Sequence, residues 1–132
     1  MKTNPELSTT LRTSFADAVE RTRTALSQQG FGVLTEIDVR ATMKAKLDID
    51  MEDYLILGTC NPPLANRALD AERRIGLLLP CNVVVRGAGP DTVLVEVADP
   101  RMMADLADAP ALEDVADEAT DRLRAAITAL GD

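Results

Sequence analysis

Residues 54–85, YLILGTCNPPLANRALDAERRIGLLLPCNVVV, decide the fold that we predict for this chain. Residues 54–59 form an apolar run that is typical of a strand. Asn61 is a good N-cap and Pro62 suits the first helical position, so a helix should begin directly after that strand. Residues 81–85 are rich in β-branched side chains and predict a second strand. A strand, a helix and a second strand are therefore the centre of the prediction.

The flanking sequence extends this unit in both directions. Upstream we predict a strand over residues 6–13, a helix that Ser14 caps and Gly30 ends, a strand over residues 31–36 and a short helix over residues 39–47 that Asp38 caps. Downstream, the glycines and proline of residues 87–90 predict a hairpin to a strand over residues 92–97, followed by a helical turn and a long helix from Pro110. The order is β-α-β-α-β-α-β-β-α.

This order predicts an α+β fold, a two-layer α/β sandwich with a mixed sheet of about five strands. Helices between strands favour crossover connections, whereas the last two strands should be antiparallel. The length of 132 residues fits a single domain over residues 1–132. Two burial patterns are also expected. Val39, Met43 and Leu47 should face the core from the short helix, and the apolar residues 77–79 should be fully buried.

The composition excludes several classes of function. Fourteen basic and 22 acidic residues give a net charge of -8, which disfavours nucleic acid and anionic membranes as partners. The absence of histidine removes the usual general base and the commonest zinc ligand. Two cysteines are too few for a disulfide framework, and MKTNPELSTT lacks the apolar core of a signal peptide. We expect a cytoplasmic protein without a metal or cofactor.

Two Cys-Asn steps are the candidate binding residues. Cys60-Asn61 lies where a strand ends and a helix begins, and Cys81-Asn82 opens the next strand. Backbone N–H groups at a helix N-terminus stabilise anions and could activate a thiolate at Cys60. A small, buried, unreactive cysteine is the alternative interpretation. If the two strand ends meet, all four residues belong to one pocket.

Arg67 follows the same predicted helix N-terminus by about one turn, which makes a small anionic ligand a candidate partner. The alternatives are a solvated arginine and a cap with only a structural role. The predicted ligand-binding residues are thus Cys60, Asn61, Arg67, Cys81 and Asn82. We assign no catalytic residue, and two thiols without histidine do not supply the four ligands of a tetrahedral metal site.

Three segments in combination resemble a known family. They are residues 30–38, GFGVLTEID, residues 57–62, LGTCNP, and residues 76–83, GLLLPCNV. Together they are similar to the family called domain of unknown function number three hundred and two, over about residues 15–103. The resemblance implies a small bacterial or archaeal protein with an α/β sandwich fold that forms dimers. It implies no particular activity.

The sequence therefore leads to one main functional hypothesis. We expect a homodimeric small-ligand-binding module whose pocket is formed at the Cys60-Asn61 and Cys81-Asn82 strand ends. A thiol-dependent enzyme or redox sensor that uses Cys60 is the alternative, and a structural or interaction protein is a third. The sequence leaves open whether any catalysis occurs.

Overall fold

The structure is a computed structural model that describes residue 1 and residues 3–131. Within these residues the chain forms five strands, five α-helices and three short 3₁₀ helices. The strands are β1 (Ser8–Leu11), β2 (Gly32–Asp38), β3 (Tyr54–Cys60), β4 (Cys81–Gly87) and β5 (Val93–Val97). The helices are α1 (Phe15–Gln28), α2 (Val39–Leu47), α3 (Pro62–Ala71), α4 (Pro100–Ala107) and α5 (Glu113–Gly131). The 3₁₀ helices are Pro5–Leu7, Arg73–Leu77 and Pro110–Leu112.

The five strands form one sheet in the order β1-β5-β4-β3-β2, with helices in a second layer. The α+β sandwich is therefore confirmed. Every neighbouring pair in this sheet is antiparallel, so the expected mixed sheet is wrong. The reason is that the chain leaves β3 through α3 and returns to β4 at the same end of the sheet, as in a long hairpin connection. The chain connects β2 to β3 through α2 in the same way at the opposite end. A helix between two strands imposes a crossover only when the chain returns to the end at which the first strand began.

One face of the sheet and the helical layer form the core. Val83, Val85 and Val95 are fully buried on this inner face, where α1 and α5 cover them. The helix α5 also contacts α3 and α4, so it holds the helical layer together. Burial of a Leu or Val side chain stabilises a fold by about 1.5–3 kcal/mol. The buried residues of α5 are Val115, Ala116, Thr120, Leu123, Ala126, Ile127 and Leu130.

The ends of α1 follow the predicted chemistry. Ser14 is the N-cap, and its hydroxyl accepts a hydrogen bond from the Asp17 N–H at 3.2 Å. Gly30 follows the helix with φ of 83°, a left-handed conformation that glycine adopts without strain. A side chain there would also approach the Asn61 amide nitrogen to 2.9 Å. Gly30 therefore allows the end of α1 to lie against the start of α3.

Two burial predictions are wrong. The helix α2 has the predicted bounds and its predicted cap, Asp38, but none of its residues is buried and Leu47 is 61% exposed. The reason is that the main contacts of α2 are with β3, whereas α1, α3 and α4 pack against α5. In the second case, residues 73–77 form a 3₁₀ helix in which Ile75 takes the buried position, leaving Leu77 84% exposed.

The outer face of the sheet is less buried than the inner face. Tyr54, Ile56, Val84 and Leu94 are only half-buried there, and Ile37 is 49% exposed. They occupy the register positions that alternate with the buried valines. The single chain thus leaves a row of apolar side chains accessible on this face.

Candidate functional site

A cavity of about 440 Å³ lies at the end of the sheet where β3 ends and β4 begins. Its walls come from the adjoining parts of β2, α3, α4 and α5. This volume is within the range of small-molecule sites in proteins, about 300–1,000 Å³. Most lining side chains are aliphatic. The lining includes Phe31, Leu34, Thr35, Thr59, Cys60, Asn61, Pro80, Cys81, Met103, Leu112, Val115, Ala116, Ala119 and Leu123.

The structure brings both cysteines to this cavity. In the β3–β4 register Thr59 is paired with Cys81, so these two side chains lie on the inner face. Cys60 is the next residue along β3, and strand alternation directs its side chain to the other side. Both thiols line the same cavity because it lies around the end of the sheet.

The two thiols differ in their surroundings. Cys81 is buried, and its sulfur lies 3.6 Å from the Ala98 carbonyl oxygen, to which it donates a weak hydrogen bond. Burial raises the pKa of the Cys81 thiol to about 12. A hydrogen bond with Thr59 opposes this rise, and the charge of the nearby Asp99 adds to it by a smaller amount. Cys81 is therefore protonated near neutral pH and a poor nucleophile. Cys60 is partly exposed, which makes it the accessible thiol.

Asn61 lines the cavity and also has a structural role. It is the N-cap of α3, and its side-chain oxygen accepts a hydrogen bond from the Leu64 N–H at 3.3 Å. Its amide nitrogen donates to the Gln29 carbonyl oxygen at 3.3 Å, next to the end of α1. An asparagine amide has two N–H groups, so this bond uses one of them. The buried side chain therefore joins two helices and keeps one donor.

The N-terminus of α3 offers little to an anion. The first two helical residues, Pro62 and Pro63, have no N–H group. The Leu64 N–H is used by the Asn61 side chain, and the Ala65 N–H donates to the Asn61 carbonyl oxygen at 2.8 Å. Of the four positions that normally supply free donors at a helix start, residues 62–64 are thus without one, and the Ala65 bond is the first of the helix itself.

Two of the five predicted site residues lie outside the cavity lining. Arg67 is exposed and forms an ion pair with Glu118 of α5, with 2.6 Å between the guanidinium nitrogen and the carboxylate oxygen. Asn82 is exposed on β4, where it pairs with Gly58 across the sheet. The cavity brings together Cys60, Asn61 and Cys81. A role in binding for any of the five stays a prediction.

Sequence reasoning missed much of the lining. Leu34 and Thr35 reach the cavity because the β2–β3 register shifts between Val33 and Thr35, and no residue type in this stretch signals such a bulge. The apolar residues Leu112, Val115, Ala119 and Leu123 recur at helical spacing, which indicates a buried face but cannot show that part of the core is hollow. Met103 also lines the cavity, and a methionine in the sequence does not distinguish a cavity lining from a packed core.

The described residues contain no cluster of three or more acidic, cysteine or histidine side chains placed to hold a metal ion. Over the same residues, no helix has both the length and the apolar character that crossing a bilayer requires.

Comparison with known proteins places the fold and the family. A search of curated proteins found no match. Among solved structures, the chain is similar to the crystal structure of the uncharacterized conserved protein DUF302 from Bacillus stearothermophilus, with 30% sequence identity and a TM-score of 0.84. The match covers 92% of this chain and 94% of that one. The model of the family described as domain of unknown function DUF302 matches residues 7–130. The chain therefore belongs to the DUF302 family.

Proposed function

We propose that this protein is a small-ligand-binding module and that the cavity at the end of β3 and β4 is its binding site. The observation that carries the proposal is the cavity itself, about 440 Å³ of space beside two thiols in a chain of 132 residues. Protein interiors are close-packed, and voids larger than a water molecule are few. An unfilled space of this size forfeits packing contacts, and a ligand would restore them.

The gradient of exposure across the lining supports a site that a ligand can enter. Leu34 and Thr35 are exposed, Cys60 and Met103 are half-buried, and Leu123 is fully buried. We place the mouth beside the β2 bulge and the deep end against α5. A pocket with an open mouth and an apolar floor is the usual form of a small-molecule site.

A cavity-filling variant tests the proposal. Ala116 is buried on α5 and lines the cavity, so Ala116→Leu should fill part of it. Ala125 is exposed on the same helix, and Ala125→Leu is the matched control. Octan-1-ol, octanoate and indole are titrated into ¹⁵N-labelled protein and followed by NMR. At least one should shift the amide signals of residues 112–116, with at least tenfold weaker binding to Ala116→Leu than to the control.

The proposal fails if none of the three compounds shifts these signals in the wild-type protein. It also fails if Ala116→Leu and Ala125→Leu bind equally well. Should Ala116→Leu not fold, Ala119→Leu replaces it, since Ala119 is only half-buried in the same lining.

We further propose that two copies associate through the outer face of the sheet. The support is the apolar row of Tyr54, Ile56, Val84 and Leu94, which one chain leaves half-buried. Ile56→Glu should convert the dimer to a monomer in sedimentation velocity, because it would bury a charge in the interface. Ala125→Glu, on an exposed α5 position, should leave the mass unchanged. A wild-type monomer, or an unchanged mass for a folded Ile56→Glu variant, contradicts this assembly.

A thiol-dependent enzyme or redox sensor is a second candidate because one of the two thiols is partly exposed and lines the cavity. It requires that Cys60 react faster than an ordinary thiol. The rate of alkylation by iodoacetamide between pH 6 and pH 9, measured in Cys81→Ser and compared with free cysteine, tests it. A rate at or below that of free cysteine over this range removes the candidate.

A further inference from the structure

We infer that the ligand of this cavity is uncharged and aliphatic, with a single polar group held near Thr35, Cys60 and Asn61. This inference rests on the proposed binding function and adds the chemical class and orientation of the ligand.

The charge of the lining residues bears on the charge of the ligand. Among the lining residues, all of which lie in the described part of the chain, none is Asp, Glu, Lys or Arg. The nearby Arg67 is outside the lining and is paired with Glu118. A charged group transferred from water into such a space loses its hydration and gains no opposite charge. Both anionic and cationic ligands are therefore disfavoured relative to neutral ones.

Two polar side chains of the lining, Thr59 and Cys81, already have hydrogen-bond partners within the protein. The Thr59 hydroxyl donates to the Cys81 carbonyl oxygen at 2.8 Å, and the Cys81 thiol points to the Ala98 carbonyl oxygen. The Asn61 side chain keeps one N–H group after its bonds to residues 29 and 64. The polar groups left for a ligand are that N–H, the Cys60 thiol and the Thr35 hydroxyl. Thr35 is exposed and Cys60 is half-buried, so these two lie toward the mouth, and Asn61 follows Cys60 directly in the chain. One hydroxyl, carbonyl or amide on the ligand would satisfy them.

The surface of the deep wall and the volume of the cavity suit an alkyl chain. The deep wall is made of branched aliphatic side chains and alanine, including Leu112, Val115 and Leu123, and Phe31 is the aromatic residue of the lining. Such a wall packs against methylene groups without selecting a flat ring. The volume equals that of about fifteen water-sized groups at roughly 30 Å³ each. A chain of about eight to twelve carbons would fit within it.

The experiment compares three ligands with the same chain and different charge, octan-1-ol, octanoate and octylammonium, at pH 7 by calorimetry. Octan-1-ol should bind at least tenfold more tightly than either ion. From hexan-1-ol to decan-1-ol, each added methylene should strengthen binding by about fourfold. Intermolecular NOEs should connect the terminal methyl group to Leu123 and the hydroxyl-bearing carbon to Thr35. Ala116→Leu should weaken octan-1-ol binding, whereas Ala125→Leu should not.

The outcomes separate this inference from the proposed function. If octanoate or octylammonium binds in the cavity as tightly as octan-1-ol, the ligand class is wrong and the binding function stands. Reversed NOEs, with the hydroxyl end at Leu123, overturn the orientation. If octan-1-ol, both ions and indole all leave the amides of residues 112–116 unchanged, the binding function itself fails.

Discussion

Replacing Gly58 by alanine tests the packing where β2, β3 and β4 meet at the mouth of the cavity. A Cβ atom at Gly58 would lie 2.1 Å from the Thr35 hydroxyl oxygen and 2.9 Å from Cγ of Pro80. Both distances are below 3.0 Å, and Cβ atoms in proteins essentially never come that close to another heavy atom. Rotation of Thr35 about χ1 relieves its contact only in the one rotamer that turns the Cβ hydrogen toward Gly58, since the other rotamer replaces the hydroxyl by a methyl group. Neither rotation changes the contact with Pro80.

Overpacking of this kind costs about 1–3 kcal/mol. For a chain of this length, 1 kcal/mol corresponds to about 4 °C in Tm, so Gly58→Ala should lower Tm by about 4–12 °C. Gly32 is the matched control, since a Cβ there has no atom within 4 Å. Gly32→Ala should be neutral, or stabilising by a few tenths of a kcal/mol through the unfolded chain.

The assay is urea unfolding followed by circular dichroism, in the wild type and in a Thr35→Ala background. Thr35→Ala removes the atom at 2.1 Å and leaves only the contact with Pro80. In that background Gly58→Ala should therefore lower the free energy of unfolding by about half as much. The reasoning is refuted if Gly58→Ala is as stable as Gly32→Ala, or if its cost is the same with and without the Thr35 hydroxyl.

Three further predictions concern the residues around the cavity. Because the pKa of Cys81 is raised in the folded protein, the thiol of the unfolded chain releases its proton first as the pH rises. The free energy of unfolding should therefore be constant below about pH 9 and fall as the pH rises toward about 12, by at most about 1.4 kcal/mol per pH unit. Urea midpoints between pH 8 and pH 10.5 should fall more steeply for the wild type than for Cys81→Ala, and equal slopes would contradict the burial of that thiol. Arg67→Ala should lower the free energy of unfolding by less than about 1 kcal/mol, because the ion pair with Glu118 is exposed. It should also leave the affinity for octan-1-ol within twofold of the wild type by calorimetry. A large loss of affinity would show that Arg67 belongs to the binding site. Asn61→Ala should lower the free energy of unfolding in urea by about 1–2 kcal/mol, because the helix cap is lost. Asn61→Asp keeps the cap oxygen but loses the donor to the Gln29 carbonyl, so its stability should lie between that of Asn61→Ala and that of the wild type. An unchanged urea midpoint for Asn61→Ala would show that the side chain has no structural role.

The sequence predicted local structure well where the chemistry is local. Ser14, Asp38 and Asn61 are caps because short polar side chains satisfy free N–H groups, and each caps the helix that was predicted for it. The hairpin between β4 and β5 follows from its turn residues. These features depend on a few consecutive residues, so no tertiary information is needed to place them.

The errors arise where the answer depends on distant residues. Strand direction in the sheet depends on the end at which α2 and α3 return the chain, which local periodicity does not encode. Leu47 is exposed because the main contacts of α2 are with β3 and not with α5, and Leu77 is exposed because Ile75 takes the buried position of its 3₁₀ helix. Strand order determines which of the residues near the strand ends share the cavity, so Cys60 and Cys81 meet there while Asn82 and Arg67 do not.

A crystal structure under xenon pressure tests the central claim most directly, since xenon enters apolar protein cavities that water leaves empty. We predict xenon density in the space bounded by Phe31, Leu112 and Val115, at the end of β3 and β4. An atom-sized peak there, absent from Ala116→Leu crystals, would support a preformed apolar site. A space filled by ordered water or closed by the surrounding side chains, with no xenon, would contradict the account.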